Sequence, residues 1–181
     1  PKYRDNRPVL IQQEGLGAAF KIPDFSMPVP LMLINAAGRE PEDIRNLKLT
    51  LDDLEPGGWD SAERLIAQDR DGVGGEVIYP SIGMVHCLHR DIDFKAACFA
   101  AYNRWLASFC ERDPHRLIGV GQAAVRTIEE GIRELESIKA LGLKGVMLPG
   151  EPHVEDYDDP CYDPFWQACV DLELPVSFHI L

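Results

Sequence analysis

The sequence has no surplus of basic residues and no long apolar run. Its 181 residues include 18 Lys and Arg against 30 Asp and Glu, which gives a formal net charge of −12. Nucleic acids and anionic membranes attract basic surfaces, so this charge disfavours both as partners. No apolar stretch approaches the length of a membrane-spanning helix. We therefore expect a small-molecule substrate as the partner, no nucleic acid and no membrane, and we leave a homo-oligomer open.

The cysteines form no paired motif. Their number is odd and no two have CxxC spacing, which is atypical of a disulfide framework or a closed zinc site. The five are Cys87, Cys98, Cys110, Cys161 and Cys169. Disulfides persist mainly in oxidising compartments, so the pattern predicts reduced thiols and a cytoplasmic location.

Three familiar ligand-binding and catalytic motifs are also missing. The chain has neither GxGxxG nor GxxxxGK[ST], the glycine-rich loops that bind phosphates after a strand. It has no GxSxG segment, the turn that carries the nucleophile of α/β hydrolases. These absences disfavour a nucleotide-binding sheet and a serine hydrolase of that type.

Residues 1–58 differ in pattern from the rest of the chain. Proline and glycine interrupt them often, which predicts an irregular segment with a short strand at Val29–Ile34 and a helical turn at Pro41–Leu47. Irregular stretches of this length are usually functional or disordered, and the apolar run Leu31–Ile34 favours a packed one. We therefore divide a single domain into an irregular excursion, residues 1–58, and a regular portion, residues 59–181.

Residues 59–181 alternate between helical and strand patterns. Short apolar runs predict four buried strands, at Gly75–Pro80, Leu117–Val125, Gly145–Leu148 and Pro175–Ile180. The helices between them are expected to begin at capping residues, namely Asp60 with Glu63, Asp93, Thr127 with Glu130, and Asp163 before Pro164. Strict alternation predicts an α/β fold with a parallel sheet and outer helices. A barrel and a doubly wound open sheet both fit.

The longest helix is expected to follow a loop at Ser81–Arg90. Its apolar residues recur at helical spacing and predict one buried face. That face comprises Phe94, Ala97, Cys98, Ala101, Trp105 and Phe109. Trp105 and Phe109 are therefore interpreted as core aromatics and not as a stacking platform.

Residues after the carboxyl ends of the strands are the candidates for chemistry, because both architectures place ligands there. Tyr79, Ser81, Arg126 and His153 lie at or after the ends of three of the strands and are predicted to line a substrate pocket. His179 ends the fourth strand. A histidine there is costly unless bonded, so it predicts either a metal ligand or a core histidine satisfied by a backbone carbonyl. The two interpretations carry even weight at this point.

Two further groups of ligand-type residues occur in loops. His86, Cys87 and His89 resemble half of a zinc motif, but no second ligand pair has a matching spacing, so a solvated or substrate-facing loop is favoured. His153 lies among carboxylates in residues 151–159, where calcium could bind. The EF-hand pattern is absent there, and a solvated acidic loop is favoured.

Four blocks of the sequence, in order, resemble the amidohydrolase-2 family. This branch of the metal-dependent amidohydrolases includes aminocarboxymuconate semialdehyde decarboxylase. The blocks are GGWDSAERLIAQDRDGVGGEVIYPSIG, AYNRWLASFCERDPHRLIGVGQAAV, ELESIKALGLKGVMLPG and YDPFWQACVDLELPVSFHI. The resemblance runs from about Lys2 to Leu181. It implies a partial (β/α)8 TIM barrel, with residues 1–58 as the excursion that follows a missing first strand.

The resemblance also implies a metal site. Family members bind a divalent metal at the barrel mouth, and His179 matches their fifth-strand ligand. The family's other ligands and its catalytic His and Asp fall outside this sequence, so the catalytic residues here are unknown. Hydrolytic members use the metal to activate water, and decarboxylating members use it to orient the substrate. We expect zinc, with manganese as the alternative.

The resulting prediction is a metal-dependent hydrolase that acts on a small carboxylated or cyclic organic substrate. A non-oxidative decarboxylase on the same scaffold is the first alternative, because a fold does not determine the reaction. A non-enzymatic α/β binding module or an inactive fragment is the second. Residues 1–181 in isolation are expected to be inactive.

Overall fold

The computed structural model describes residue 3 and residues 5–33, 35–36, 39–45 and 50–179. The chain divides into two compact units, Pro1–Gly58 and Trp59–Leu181. We describe each unit by itself.

The first unit contains an antiparallel sheet that the sequence patterns did not predict. Its strands β1 (Val9–Gln13), β2 (Gly17–Lys21) and β3 (Val29–Pro30) lie in that order. Gly15 and Gly17 have φ values of 74° and 73°. Glycine adopts this left-handed backbone freely, and the two residues close the turn between β1 and β2. The interpretation of residues 1–58 as irregular is therefore wrong for this hairpin.

The rest of the first unit is mostly short helical turns. The strand expected at Val29–Ile34 stops at Pro30, and a 3-10 helix follows at Leu31–Leu33. Leu31 and Met32 are buried, which confirms the prediction of a packed segment for these two residues. Helix α1 spans Pro41–Arg45, while residues 46 and 47 of the predicted turn lie outside the described residues. Two more 3-10 turns occupy Leu51–Asp53 and Pro56–Gly58.

The second unit alternates strands and helices as predicted. In chain order the elements are α2 (Ser61–Asp71), β4 (Glu76–Ile78), α3 (Ile82–His86), α4 (Ile92–Cys110), β5 (Leu117–Gln122), α5 (Ile128–Ala140), β6 (Gly145–Pro149), α6 (Asp163–Asp171) and β7 (Val176–His179). The four strands are parallel and adjacent in the order β4-β5-β6-β7. His179 pairs with Pro149 in this arrangement, and the predicted parallel sheet is confirmed.

Alternate residues of the strands face opposite sides of this sheet. Leu117, Val146 and Leu148 belong to the core beneath the helices. Val120 and Met147 belong to a second cluster on the other face. The helical side is tightly packed at Gly119 of β5. A Cβ there would lie 2.7 Å from a methyl group of Leu143 and 3.0 Å from Leu106, so a larger residue would force these leucines to shift.

Helix α4 buries a different face from the predicted one. Ala97, Ala101 and Trp105 are exposed, Trp105 to 42%. The buried positions are Phe94, Lys95, Phe99, Asn103, Leu106, Phe109 and Cys110. Apolar residues surround most of the helix, so periodicity alone does not select the inward face. The interpretation of Trp105 as a core aromatic is therefore wrong, and that of Phe109 is confirmed.

The beginning of α4 also differs from the prediction. The expected loop at Ser81–Arg90 contains the short helix α3, and Asp91 instead of Asp93 caps α4. The Asp91 carboxylate accepts a hydrogen bond from the Phe94 backbone N–H at 3.0 Å. Both aspartates precede the apolar pattern, so the sequence did not distinguish them.

Two other predicted caps are confirmed and one is shifted. The Asp60 carboxylate accepts from the Ala62 N–H at 2.8 Å, and the Thr127 hydroxyl accepts from the Glu130 N–H at 3.2 Å. Asp163 is the first residue of α6 and not its cap. Asp159 instead caps a preceding 3-10 turn, Pro160–Tyr162, which leads directly into α6.

Two further observations concern the cysteines and the helices. All five cysteines are free, as predicted for reduced thiols. Within the part of the chain that the structure describes, no helix has both the length and the hydropathy to cross a membrane.

Candidate metal and substrate site

His179 lies at the carboxyl end of β7, on the face of the sheet turned away from the outer helices. Its neighbour Phe178 points to the helical side, where its ring lies 5.0 Å from that of Tyr157 and 6.4 Å from that of Trp166 in α6. Strand alternation therefore places Ser177 and His179 on the opposite face. The Ser177 hydroxyl donates to the Val146 carbonyl at 3.3 Å.

The imidazole of His179 has an unused nitrogen. Its Nδ1 atom is buried and has no hydrogen-bond partner among the described residues. A buried ring nitrogen without a partner is unfavourable. The core-histidine interpretation required a backbone carbonyl to satisfy the ring, and the described residues supply none to Nδ1. The described residues therefore leave this nitrogen unsatisfied.

The four predicted pocket residues occur around the same end of the sheet but do not form a connected cluster. Tyr79 and His153 are exposed, and Ser81 precedes α3 without capping it by its side chain. In the described part of the chain, no hydrogen bond, ion pair or ring contact joins Tyr79, Ser81, Arg126 and His153 to one another or to His179.

Arg126 is held by two carboxylates. Its guanidinium lies 2.8 Å from the Asp93 carboxylate in α4 and 3.0 Å from Glu130 in α5. The hydrogen bond to Asp93 and the charges of Glu130 and Asp93 raise the pKa of Arg126. The arginine therefore ties two helices together beyond the end of β5, and its charge is already compensated.

The backbone beyond β5 is strained and held by a half-buried carboxylate. Val125 has φ of 51°, a left-handed conformation that a β-branched residue rarely adopts. Glu134 Oε2 accepts hydrogen bonds from the Ala124 and Val125 N–H groups at 2.9 and 3.0 Å. Strain of this kind is often found at functional sites. The left-handed backbone at Val125 also explains why β5 ends at Gln122 and does not continue to the predicted Val125.

At the end of β5, an asparagine side chain makes the backbone hydrogen bonds that a neighbouring strand would otherwise make. Strand β4 pairs with β5 only as far as Gly119. Beyond that point the Asn103 side chain donates to the Gln122 carbonyl at 2.9 Å and accepts from the Gln122 N–H at 2.8 Å. The Gln122 side-chain amide in turn donates to the Gly83 carbonyl at 3.1 Å. These bonds link β5 to α4 and α3.

His86, Cys87 and His89 are buried while Leu88 is exposed, so the solvated-loop alternative is wrong for these three residues. His86 and His89 are 5% and 4% exposed, with their rings 6.2 and 4.4 Å from Phe94. His86 Nδ1 bonds the Ile82 carbonyl at 2.9 Å, and the Asp91 N–H donates to His89 Nδ1 at 3.1 Å. Burial lowers the pKa of His86 and raises that of the Cys87 thiol to about 11.

The acidic loop has structural roles at two of its residues. Asp159 accepts a hydrogen bond from the Cys161 N–H at 2.8 Å, and this bond lowers the pKa of its carboxyl group. The Tyr157 hydroxyl donates to the Pro149 carbonyl at 2.8 Å, which ties the loop to the end of β6. Among the described residues, no group of three or more His, Cys, Asp or Glu side chains could hold a metal ion.

A sequence profile of the amidohydrolase family (Amidohydro_2) matches residues 84–181, which is more than half of the chain. This chain belongs to the amidohydrolase family. The resemblance read from the four sequence blocks is thereby confirmed. No curated protein matches the chain.

Solved amidohydrolase structures share the fold. An amidohydrolase from Mycobacterium avium subsp. paratuberculosis has a TM-score of 0.70 at 20% identity, covering 99% of this chain and 52% of the other. A dihydroxybenzoic acid decarboxylase from Polaromonas with bound manganese and 2-nitroresorcinol has a TM-score of 0.58 at 22% identity, covering 84% and 46%.

A third neighbour is the 5-carboxyvanillate decarboxylase of Novosphingobium aromaticivorans, solved with manganese and 4-hydroxy-3-methoxy-5-nitrobenzoic acid. It has a TM-score of 0.57 at 26% identity, covering 82% of this chain and 40% of the other. The four-stranded parallel sheet is therefore part of a TIM barrel. This chain spans about half the length of these amidohydrolase structures or less.

Proposed function

We propose that the complete protein is a divalent-metal-dependent enzyme that acts on a small carboxylated aromatic molecule at the carboxyl ends of the barrel strands. We favour non-oxidative removal of a carboxyl group as carbon dioxide. Two of the structural neighbours named above are decarboxylases, one of dihydroxybenzoic acid and one of 5-carboxyvanillate, and the second shares 26% identity. Hydrolysis, the first expectation from the sequence, is the second candidate, because the family and the Mycobacterium neighbour are amidohydrolases.

The orientation of His179 carries this proposal. Active sites of TIM barrels lie at the carboxyl ends of the strands, where His179 ends β7. Its ring lies on the face away from the helices, and its buried Nδ1 is unpaired among the described residues. These features suit a metal ligand.

In this proposal His179 is one metal ligand, and the other ligands come from outside the described residues. A bound divalent metal would supply a Lewis acid that polarises a substrate oxygen. Manganese is the first choice because two of the neighbours bind it, and zinc, expected from the sequence, is the alternative. A neutral imidazole suits both metals.

The remaining residues would contact and orient the substrate. Tyr79, Ser81 and His153 have accessible side chains at the strand ends and are proposed to line the pocket. Arg126 is a weaker candidate for binding a substrate anion, because Asp93 and Glu130 already compensate its charge. We assign Arg126 the role of holding the rim of the pocket.

Reaction assays on the full-length protein test the proposal. The manganese-loaded protein is incubated with 2,6-dihydroxybenzoate and with 5-carboxyvanillate, and carbon dioxide and the phenolic product are measured. We expect metal-dependent release of carbon dioxide, lost on chelation and restored by manganese. Release of an amine from aryl amides without carbon dioxide would favour hydrolysis, and no metal-dependent turnover of either class would overturn the proposal.

A further inference from the structure

Lys95 is a lysine with a mostly buried side chain, at the same end of the sheet as His179. It is the fourth residue of α4, and only 8% of its surface is exposed. Because α4 follows β4 in a parallel α/β unit, the beginning of α4 lies at the carboxyl ends of the strands. Lys95 therefore belongs to the end of the sheet where the substrate is proposed to bind.

The ammonium group of Lys95 has no direct partner in the described part of the chain. No hydrogen bond and no ion pair within 4.0 Å involves it there. The Cys87 thiol and Glu151, which comes two residues after β6, interact electrostatically with it and raise its pKa. Burial lowers the pKa of Lys95 more than these groups raise it.

Packing places the lysine stem on the inner side of the sheet. Phe99, one turn further along α4, packs with Cys87, Val120 and Met147. Val120 and Met147 face away from the outer helices, and residues four apart share a helix face. Lys95 is therefore directed toward the face that also carries His179.

Neither helix stability nor core packing explains why a lysine occupies this position. A positive charge near a helix N-terminus opposes the helix dipole. Partial burial removes some of the solvation of the charged group, and an apolar side chain of similar length would avoid that cost. An anionic ligand would compensate the charge.

We propose that Lys95 binds a carboxylate group of the substrate; this inference rests on the function proposed above. A lone ammonium suits the single charge of a carboxylate. Phosphate sites in α/β proteins commonly add a glycine-rich loop, and this sequence has neither of the two common forms. The assignment makes Lys95 a binding residue for the acid group that defines the proposed substrate class.

Ligand binding to the full-length protein tests Lys95 directly. The probes are 2,6-dihydroxybenzoate and its neutral analogue 2,6-dihydroxybenzamide, titrated calorimetrically into manganese-loaded and chelator-treated protein. The variants are Lys95→Met, which keeps the length of the stem, and Lys95→Arg, which keeps the charge. Lys144→Met, an exposed lysine at the amino end of β6, is the matched control.

We expect Lys95→Met to weaken binding of the carboxylate at least tenfold and binding of the amide less than twofold, with and without metal. Lys95→Arg should retain most of the affinity, and Lys144→Met should match the native protein. Equal losses for both probes, no loss, or a native protein that binds neither probe would overturn the assignment. Metal content is measured on the same samples. It separates failure of the Lys95 assignment from failure of the proposed metal site.

Discussion

At the scale of single residues, the end of β5 depends on two side chains that come from the outer helices. Asn103 supplies both a donor and an acceptor to Gln122, and Glu134 accepts two N–H groups from the strained turn at Val125. Backbone groups that lack a neighbouring strand must find other partners when buried. These two residues therefore hold the carboxyl end of β5 in place.

Glu134 predicts a specific dependence of stability on pH. Burial raises the pKa of its carboxyl group more than the hydrogen bonds from Val125 and Ala124 lower it. The folded protein thus holds this proton more tightly than the unfolded chain. The contribution of Glu134 to stability is full below its ordinary pKa and declines as the pH rises through the raised value.

We expect Glu134→Gln to gain stability relative to the native protein as the pH rises above about 4, because only the native side chain must ionise. Its amide oxygen can accept the same two hydrogen bonds. The measurement is the free energy of unfolding in urea at several pH values, with the exposed Glu136→Gln on the same helix as control. A difference from native that stays constant or falls with pH would contradict the assignment.

At the scale of elements, the beginning of α4 provides a test of which aspartate caps the helix. Asp91 accepts from the Phe94 N–H, whereas Asp93 bonds Arg126. Loss of an N-cap side chain costs about 1 kcal/mol, and a partly exposed ion pair contributes roughly 0–1 kcal/mol. Asp91→Ala should therefore lower the free energy of unfolding by about 1 kcal/mol, and Asp93→Ala by less.

Asp91→Asn serves as the matched control, because asparagine also caps helices and should retain most of the stability. Chemical denaturation of the three variants ranks their free energies of unfolding. A larger loss for Asp93→Ala than for Asp91→Ala would support the cap expected from the sequence and refute the one in the structure.

The elements that could be predicted are those with local signals. The caps at Asp60 and Thr127 depend on hydrogen bonds to residues two or three positions away, which a short sequence window shows. The buried face of α4 depends on which neighbours the helix meets, and its apolar residues leave that open. The hairpin of β1 and β2 was missed because VLIQQ and GAAFK do not alternate apolar and polar residues.

In the candidate site, too, only residues with a local signal could be predicted from the sequence. His179 stood out because it ends an apolar strand and matches a family position. Asn103 and Gln122 are 19 residues apart and Lys95 lies inside a helical pattern, so no local motif marks them. Their roles depend on long-range packing of α4 against the strand ends.

At the scale of the molecule, the four strands form a sheet with two edges. Within the described sheet β4 and β7 each pair on one side only, and Val77 and Phe178 are exposed on them. Unpaired edges with exposed apolar residues favour association between chains. A fragment of residues 1–181 should therefore aggregate and show negligible turnover.

Size-exclusion chromatography with light scattering, followed by assay of any monomeric fraction, tests this expectation. The full-length protein prepared in the same way is the control. A monodisperse monomer of residues 1–181 with efficient metal-dependent turnover would contradict it.

The central claim is that His179 is a metal ligand, and the most direct test is the metal content of His179→Ala in the full-length protein. Replacing His179 removes an imidazole without altering the packing of Phe178 against Tyr157 and Trp166. The control is His115→Ala, an exposed histidine just before β5, at the opposite end of the sheet. Elemental analysis should show near-stoichiometric metal in the native and His115→Ala proteins and a sharp loss in His179→Ala, with circular dichroism unchanged. Stoichiometric metal and a near-normal rate in His179→Ala would contradict the account.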